Sequence, residues 1–359
     1  GIIVCAWAFA TLASAAWAQD WPTESNADFD ALLEAARAEG EIVIMGQPSL
    51  SEKFAAAFEA DTGIKASFIP RGRGAERQRF YREVEADRLT IDVFLSGPTP
   101  FSLVEKDQLA PVRDMLLLRD LLAPEAWRGS ALKWVDDAER YLPMPSIYAA
   151  GGILINTDII DPASITSWDD LLAEGMLDQV VMHNPARPGA GETLAMYLID
   201  VKGEDFVREL LGNDRITLTS DYRQVVDLVA RGTNPIALGA LLANIQHYED
   251  RGVDNLEIFW TNDVPGYVLG GGAVLAVPAG APHPKAAAVF ANWFLSQNGQ
   301  EALALTQALP TDREDVDADL WPEYSDPRNR PELLNLYSQS WFFGTRLENR
   351  ALLEGILAE

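Results

Sequence analysis

The stretch Ala149-Ala150-Gly151-Gly152-Ile153-Leu154-Ile155-Asn156-Thr157-Asp158 divides this chain. Two glycines let the backbone bend or be approached closely, the Ile-Leu-Ile run reads as a buried strand, and Asn-Thr-Asp stops it. Further on, Ser167 has the chemistry of an N-cap for a helix starting at Trp168. Asp169 and Asp170 stand in its first turn, where carboxylates meet the positive end of the helix dipole. On both sides of the division, short apolar runs alternate with small-residue loops and helix starts. That alternation predicts sheets with helices on their faces and with their loops gathered along one edge. The expectation is an α/β chain of two lobes: 151–269 as the second, 19–150 with 270–359 as the first. The return passes through 264–277, a strand interrupted at Gly270 to Gly272.

The loops at the strand ends carry the candidate binding residues. After the strand 41–45, Ser49 and Glu52 have capping-box spacing, so the helix start at Ser49 to Ser51 would aim backbone N–H groups above the strand end. An ordinary strand-to-helix connection has the same pattern. The strand 64–69 is followed by Arg71 and Arg73, separated by one glycine, in a chain short of basic residues. Arginine holds carboxylate or phosphate through two parallel hydrogen bonds, although a solvated loop or surface ion pairs would also place arginines here. The strand 91–95 ends in Ser96-Gly97. Tyr148 stands just before the lobe crossing, within reach of a cleft or buried with its hydroxyl satisfied. In the second lobe, the strand 179–182 runs into His183 and a loop containing Gly189, Gly191 and Thr193, with a helix expected from 194 to 201. No Gly-Lys-Ser/Thr follows, so this is not a nucleotide-hydrolysing loop, but it is a second candidate backbone anion site. Tyr222 begins another helix and offers a further hydroxyl.

Composition excludes whole classes of partner. Of 359 residues, 28 are Lys or Arg and 54 are Asp or Glu, a net charge of −26. Such a surface repels nucleic acid and anionic lipid head groups. It is also the surface expected of an adaptation to a salty medium, so it says little about the ligand. The uncharged run 1–19, ending in Ala16-Trp17-Ala18, reads as a signal peptide cleaved after Ala18. The single cysteine, Cys5, lies inside that run. The mature chain then has no disulfide, no thiolate metal site and no cysteine nucleophile. An exported, uncrosslinked, acidic protein fits a bacterial periplasm.

Several segments occur in a meaningful order: Thr62-Gly-Ile-Lys65, Asp92-Val-Phe94, Gly152 to Asp158, Ser167 to Leu172, Gly270 to Val277, Ala281 to Ala286, and Ser296 to Gln300. This set resembles the landmarks of the periplasmic solute-binding proteins of ABC importers, in particular the group that contains the ferric-ion binders. The resemblance implies a type II periplasmic-binding-protein fold, with mixed sheets flanked by helices and a ligand held in the interlobe cleft. It also implies delivery to an inner-membrane permease, with no enzyme activity, no resident cofactor or metal, and a monomer. The family's iron binders use paired tyrosines after the strand that here ends at Leu238, plus a His and a Glu from first-lobe loops. Here the chain reads Gly239-Ala240-Leu241-Leu242-Ala243, and the first-lobe loops offer Ser49 and Ser96. The expectation is therefore a small anion (an organic carboxylate, phosphonate or phosphate ester) bound by Ser49, Ser51, Arg71, Arg73, Ser96, Tyr148, Gly189, Gly191, Thr193 and Tyr222. Ferric ion is the alternative within the family. A secreted enzyme would need Asp221, His183 or His247 as acid or base, and no nucleophile–base spacing accompanies them. In the acidic C-terminal segment, 332–337 is expected as a helix and Trp341-Phe342-Phe343 as packing against the first lobe.

Overall fold

A computed structural model describes residues 21–47, 50–70, 75–212, 214–270, 273–330 and 332–358. Helix α1 (Ala27–Glu39) starts at Asn26, whose side chain accepts from the Phe29 amide, and stops at Gly40, which takes φ 91°. There follow β1 (Glu41–Gly46), α2 (Ser51–Thr62), β2 (Lys65–Pro70), α3 (Ala75–Glu85), β3 (Val93–Ser96) and the short α4 (Phe101–Val104). A run of 3₁₀ turns leads to β4 (Tyr148–Ala150), β5 (Ile153–Asn156), β6 (Val180–His183), α5 (Ala190–Lys202), α6 (Glu204–Leu211) and β7 (Thr217–Thr219). The chain continues through α7 (Tyr222–Ala230), β8 (Ile236–Leu238), α8 (Leu242–Glu249), β9 (Leu256–Phe259), β10 (Gly266–Leu269) and β11 (Val274–Ala276). It ends with α9 (Pro284–Leu295), α10 (Gln297–Gln307), β12 (Leu333–Asn335) and α11 (Arg346–Ile356).

Three sheets organise these elements: β11-β3-β1-β2, β7-β6-β8-β5-β9, and between them β12-β10-β4. In the first, β1 runs parallel to β2 and β3, and β11 joins antiparallel. Its strands are apolar on both faces because both faces are covered. Ile42, Ile44, Val93 and Leu95 meet Phe54, Phe58, Phe290 and Trp293 of α2 and α9, while Met45, Phe94 and Val274 meet Phe80, Leu142 and Met144. The second sheet repeats the arrangement. Ile153, Ile155, Val180 and Met182 pack on α5 and α6, and Leu154, Val181 and Ala237 pack on Val225, Val229 and Ile245 of α7 and α8. The small third sheet is the crossing: β4 leads through Gly151-Gly152 into β5, and β10 leads back towards β11.

Buried Asp92 gives two of the ordered landmarks a physical reason. Its Oδ2 accepts the Val43 amide at 2.7 Å and its Oδ1 accepts the His283 amide at 2.6 Å, tying the start of β3 to the start of α9. Trp127 and Trp134, in the run of 3₁₀ turns, are buried. Other expectations are corrected. Residues 333–335 form a strand and not a helix, because Leu333 to Asn335 pair in parallel with Gly266 to Val268 and so bring Leu336 into the core. The Ser167 start is capped as expected, with a capping box to Asp170, but opens only a five-residue 3₁₀ turn. The last helix leaves the first sheet altogether. Leu353 and Ile356 of α11 share a core with α5, and Asn349 donates to the Met196 carbonyl at 2.9 Å. The aromatic run before it bridges the two halves: Phe343 packs on Phe101 at 4.7 Å, whereas Trp341 donates to Asp200 and joins the α5 core.

Candidate functional site

Parallel strands end on one edge, so β1, β2 and β3 open their loops along one side of the first sheet and β6, β7 and β8 along one side of the second. Open α/β sheets present ligands along such edges. The two edges meet at the crossing. Tyr148 on β4 has Tyr337, just past β12, and Tyr222, at the start of α7, within electrostatic range. Gly97, in the loop after β3, lies beside the Tyr337 ring, since a Cβ added there would stand 3.6 Å from the Tyr337 hydroxyl. Burial pushes the Tyr148 phenol well above its ordinary range, which keeps it a neutral O–H donor.

The glycine loop of the second lobe is built differently from the expectation. Helix α5 begins at Ala190 and not at 194, so Gly191 and Thr193 lie inside its first turn. Two amides expected to point freely at a ligand are taken: Ala190 N–H donates to Tyr222 Oη at 3.0 Å and Gly191 N–H to His183 Nδ1 at 3.3 Å. The His183 and Tyr222 rings stack 4.0 Å apart, within 6° of parallel. Gly189 is required here, because its φ is 150° and an added Cβ would fall 2.1 Å from the Tyr222 hydroxyl. The positive end of α5 is therefore presented second-hand. Tyr222 accepts from the helix start through its oxygen and keeps its O–H to donate outward, polarised by the dipole behind it.

One cation joins this cluster. Residues Trp341–Thr345 form a π-helical turn that runs directly into α11, a distortion that often accompanies function and that changes the face on which the next residues emerge. The next residue is Arg346. Its neighbour Arg350 takes the ion pair with Glu192 in the first turn of α5. Arg346 is half-buried with its guanidinium over the Phe342 ring, 4.5 Å from the centroid, and that guanidinium makes no ion pair or hydrogen bond among the described residues. Burial, followed by the nearby Arg350 charge, lowers its pKa, against the opposing influence of Glu192 and Tyr337. Phenol hydroxyls beside a guanidinium that has no ion pair among the described residues suit an anion with several oxygens.

Of the sequence-level candidates, Tyr148 and Tyr222 come together at the crossing, with Gly189 against Tyr222 and Gly191 and Thr193 in the adjoining helical turn. Ser96 is fully buried and donates to its neighbour's Gly97 carbonyl at 2.9 Å, so its hydroxyl is turned into the protein. Ser51 is the first residue of α2. Ser49, Arg71 and Arg73 lie outside the described residues. Asp221 is the N-cap of α7, accepting from the Arg223 and Gln224 amides, and His247 lies in the last turn of α8. Among the described residues no three His, Cys, Asp or Glu side chains converge as a metal-ligand set. Sequence reasoning missed Tyr337 and Arg346. The available signal was an arginine following three aromatics in an otherwise acidic segment.

Among the described residues no helix is long and apolar enough to cross a membrane. The family model for bacterial extracellular solute-binding proteins matches residues 46–301. No curated protein matches the sequence. Three solved structures illustrate the likeness in fold. Iron-bound HitA from Pseudomonas aeruginosa is 21% identical over 88% of this chain and 98% of its own, with a TM-score of 0.64. The ferric binding protein from Campylobacter jejuni is 18% identical over 88% and 99%, with a TM-score of 0.65. A GABA receptor is 18% identical over 89% and 98%, with a TM-score of 0.64. These share the two-lobe α/β fold and differ in what they hold, so the fold by itself does not choose a ligand. With an α/β architecture of two sheets joined by crossing strands, and a family match over most of its length, the chain belongs to the bacterial extracellular solute-binding proteins.

Proposed function

We propose that this protein is the periplasmic receptor of an ABC importer, exported by a signal peptide cleaved after Ala18, and that it captures a small organic anion for delivery to the permease. In this reading 19–150 and 270–345 form one lobe and 151–269 the other, with 346–356 riding on the second. The ligand sits at the crossing between Tyr148, Tyr222 and Arg346, and Arg71 and Arg73 are retained from the sequence as further candidates to hold it. The observation that carries the reading is Arg346, a half-buried guanidinium with no carboxylate of its own among the described residues. A ferric ion at the crossing would have to displace the phenol protons of Tyr148 and Tyr222 and would face the Arg346 cation, which favours an anion instead. The structural neighbours include a GABA receptor as well as iron binders, so this fold accommodates an organic acid.

The test is mass spectrometry and metal analysis of the protein as purified, followed by calorimetry with a panel of carboxylates and phosphonates. Replacing Arg346, Arg71 or Arg73 by Ala is expected to lower affinity by about one to two decades, the worth of a charge-assisted hydrogen bond of roughly 1.5–3 kcal/mol. Stoichiometric iron in the purified protein, with affinity for it undiminished in Arg346→Ala, would assign the site to the metal instead.

A further inference from the structure

A groove of about 370 Å³ lies along α8, between elements of the two halves. That volume is in the range of small-molecule sites. One wall is the α8 face carrying Leu242 and Ala243, and the opposite wall is Ala308 and Leu309, which follow α10, with Gln47 at the end of β1 nearby. Gln246, His247, Gln307 and Ser325 line it as well; no Lys or Arg does, and its one carboxylate, Asp250, accepts from the Gln246 amide at 2.9 Å, so it offers an anionic head no guanidinium or ammonium group. It adjoins the proposed anion seat: the β8–α8 turn presses on the start of α5, where a Cβ on Gly239 would stand 3.1 Å from the Gly191 nitrogen, and α8 begins three residues later.

We propose that this groove takes the uncharged, largely aliphatic body of the bound anion, so that the ligand is an organic acid with a chain of several carbons and not a compact inorganic anion. The inference rests on the anion-receptor reading above. Burying each further methylene between Leu242, Ala243 and Leu309 should raise affinity about fourfold until the groove is full. Calorimetry with inorganic phosphate, acetate, butanoate, hexanoate and octanoate tests it. Affinity is expected to climb from acetate to octanoate, with phosphate weakest. Ala243→Trp, on the solvent side of the helix, and Leu309→Trp, from the other wall, should each flatten the series while leaving acetate unchanged. Acetate binding without dependence on chain length, or a dependence that survives in both tryptophan variants, overturns the subsite and leaves the receptor reading standing. If none of the five anions binds the wild-type protein, the anion reading fails and the subsite fails with it.

Discussion

His183 shows how much of this site depends on the protonation of one ring. Gly191 N–H donates to Nδ1, so the neutral ring carries its proton on Nε2 and stacks on Tyr222. Burial lowers its pKa from the ordinary 6.5, because the charged form loses hydration. A histidine depressed in the folded state binds its proton first in the unfolded chain. Stability linked to it is therefore whole above about 6.5 and falls as pH drops towards the folded value. Protonating Nδ1 would also set two donors against each other at the start of α5. Thermal unfolding followed from pH 8 to 5 should show a fall in melting temperature that is reduced in His183→Gln, whose amide oxygen can still accept from Gly191 but does not titrate. Equal pH dependence in the two proteins would remove His183 from this role.

At the scale of elements, the start of α5 is held by side chains from the end of β6 and the start of α7, and Tyr222 does two things there at once. Its oxygen satisfies the Ala190 amide and its hydrogen is left for a ligand. Tyr222→Phe keeps the ring stacked on His183 but orphans that amide, which should cost about 1–3 kcal/mol in denaturant unfolding and weaken anion binding in the same protein. A variant that unfolds earlier but binds as tightly as wild type would show a structural cap and nothing more. Elements with local signals were legible in the sequence: the Ser167 cap and the apolar strands at 41–45, 64–69 and 153–155. Strand β12 was not, because its pairing partner β10 lies far upstream and a three-residue strand has no periodicity of its own. The tyrosines at positions 148 and 222 could be picked out one at a time, but not their convergence. Arg346 was hidden for a further reason. The nearby carboxylate, Glu192, pairs with Arg350 across 158 residues of chain, and that pairing is long-range.

At the scale of the molecule, the candidate groups come from both sheets and from the strands that join them, so no single lobe can hold the ligand completely. Gly97 and Gln47 belong to loops of the first sheet, Tyr222 and α8 to the second, and Tyr148 to the crossing. An anion that touches all of them is bound fully only when the halves are together, and its differential affinity stabilises that closed arrangement. The crossing itself is narrow: Gly151 takes φ 76°, and any Cβ there would fall 2.0 Å from the Tyr267 ring, so a side chain cannot be added without displacing it. Closure should therefore act through small dihedral changes around this pivot and not through unpacking. Ligand at 100 times its dissociation constant adds about 2.7 kcal/mol to stability, which should raise the melting temperature of a chain this long by roughly 4 °C. Small-angle scattering on the same samples should show a smaller radius of gyration, with both changes reduced in Arg346→Ala at that ligand concentration. A melting shift with no change in dimensions would mean that the ligand is held by a preformed cleft, and the clamp would have to be abandoned.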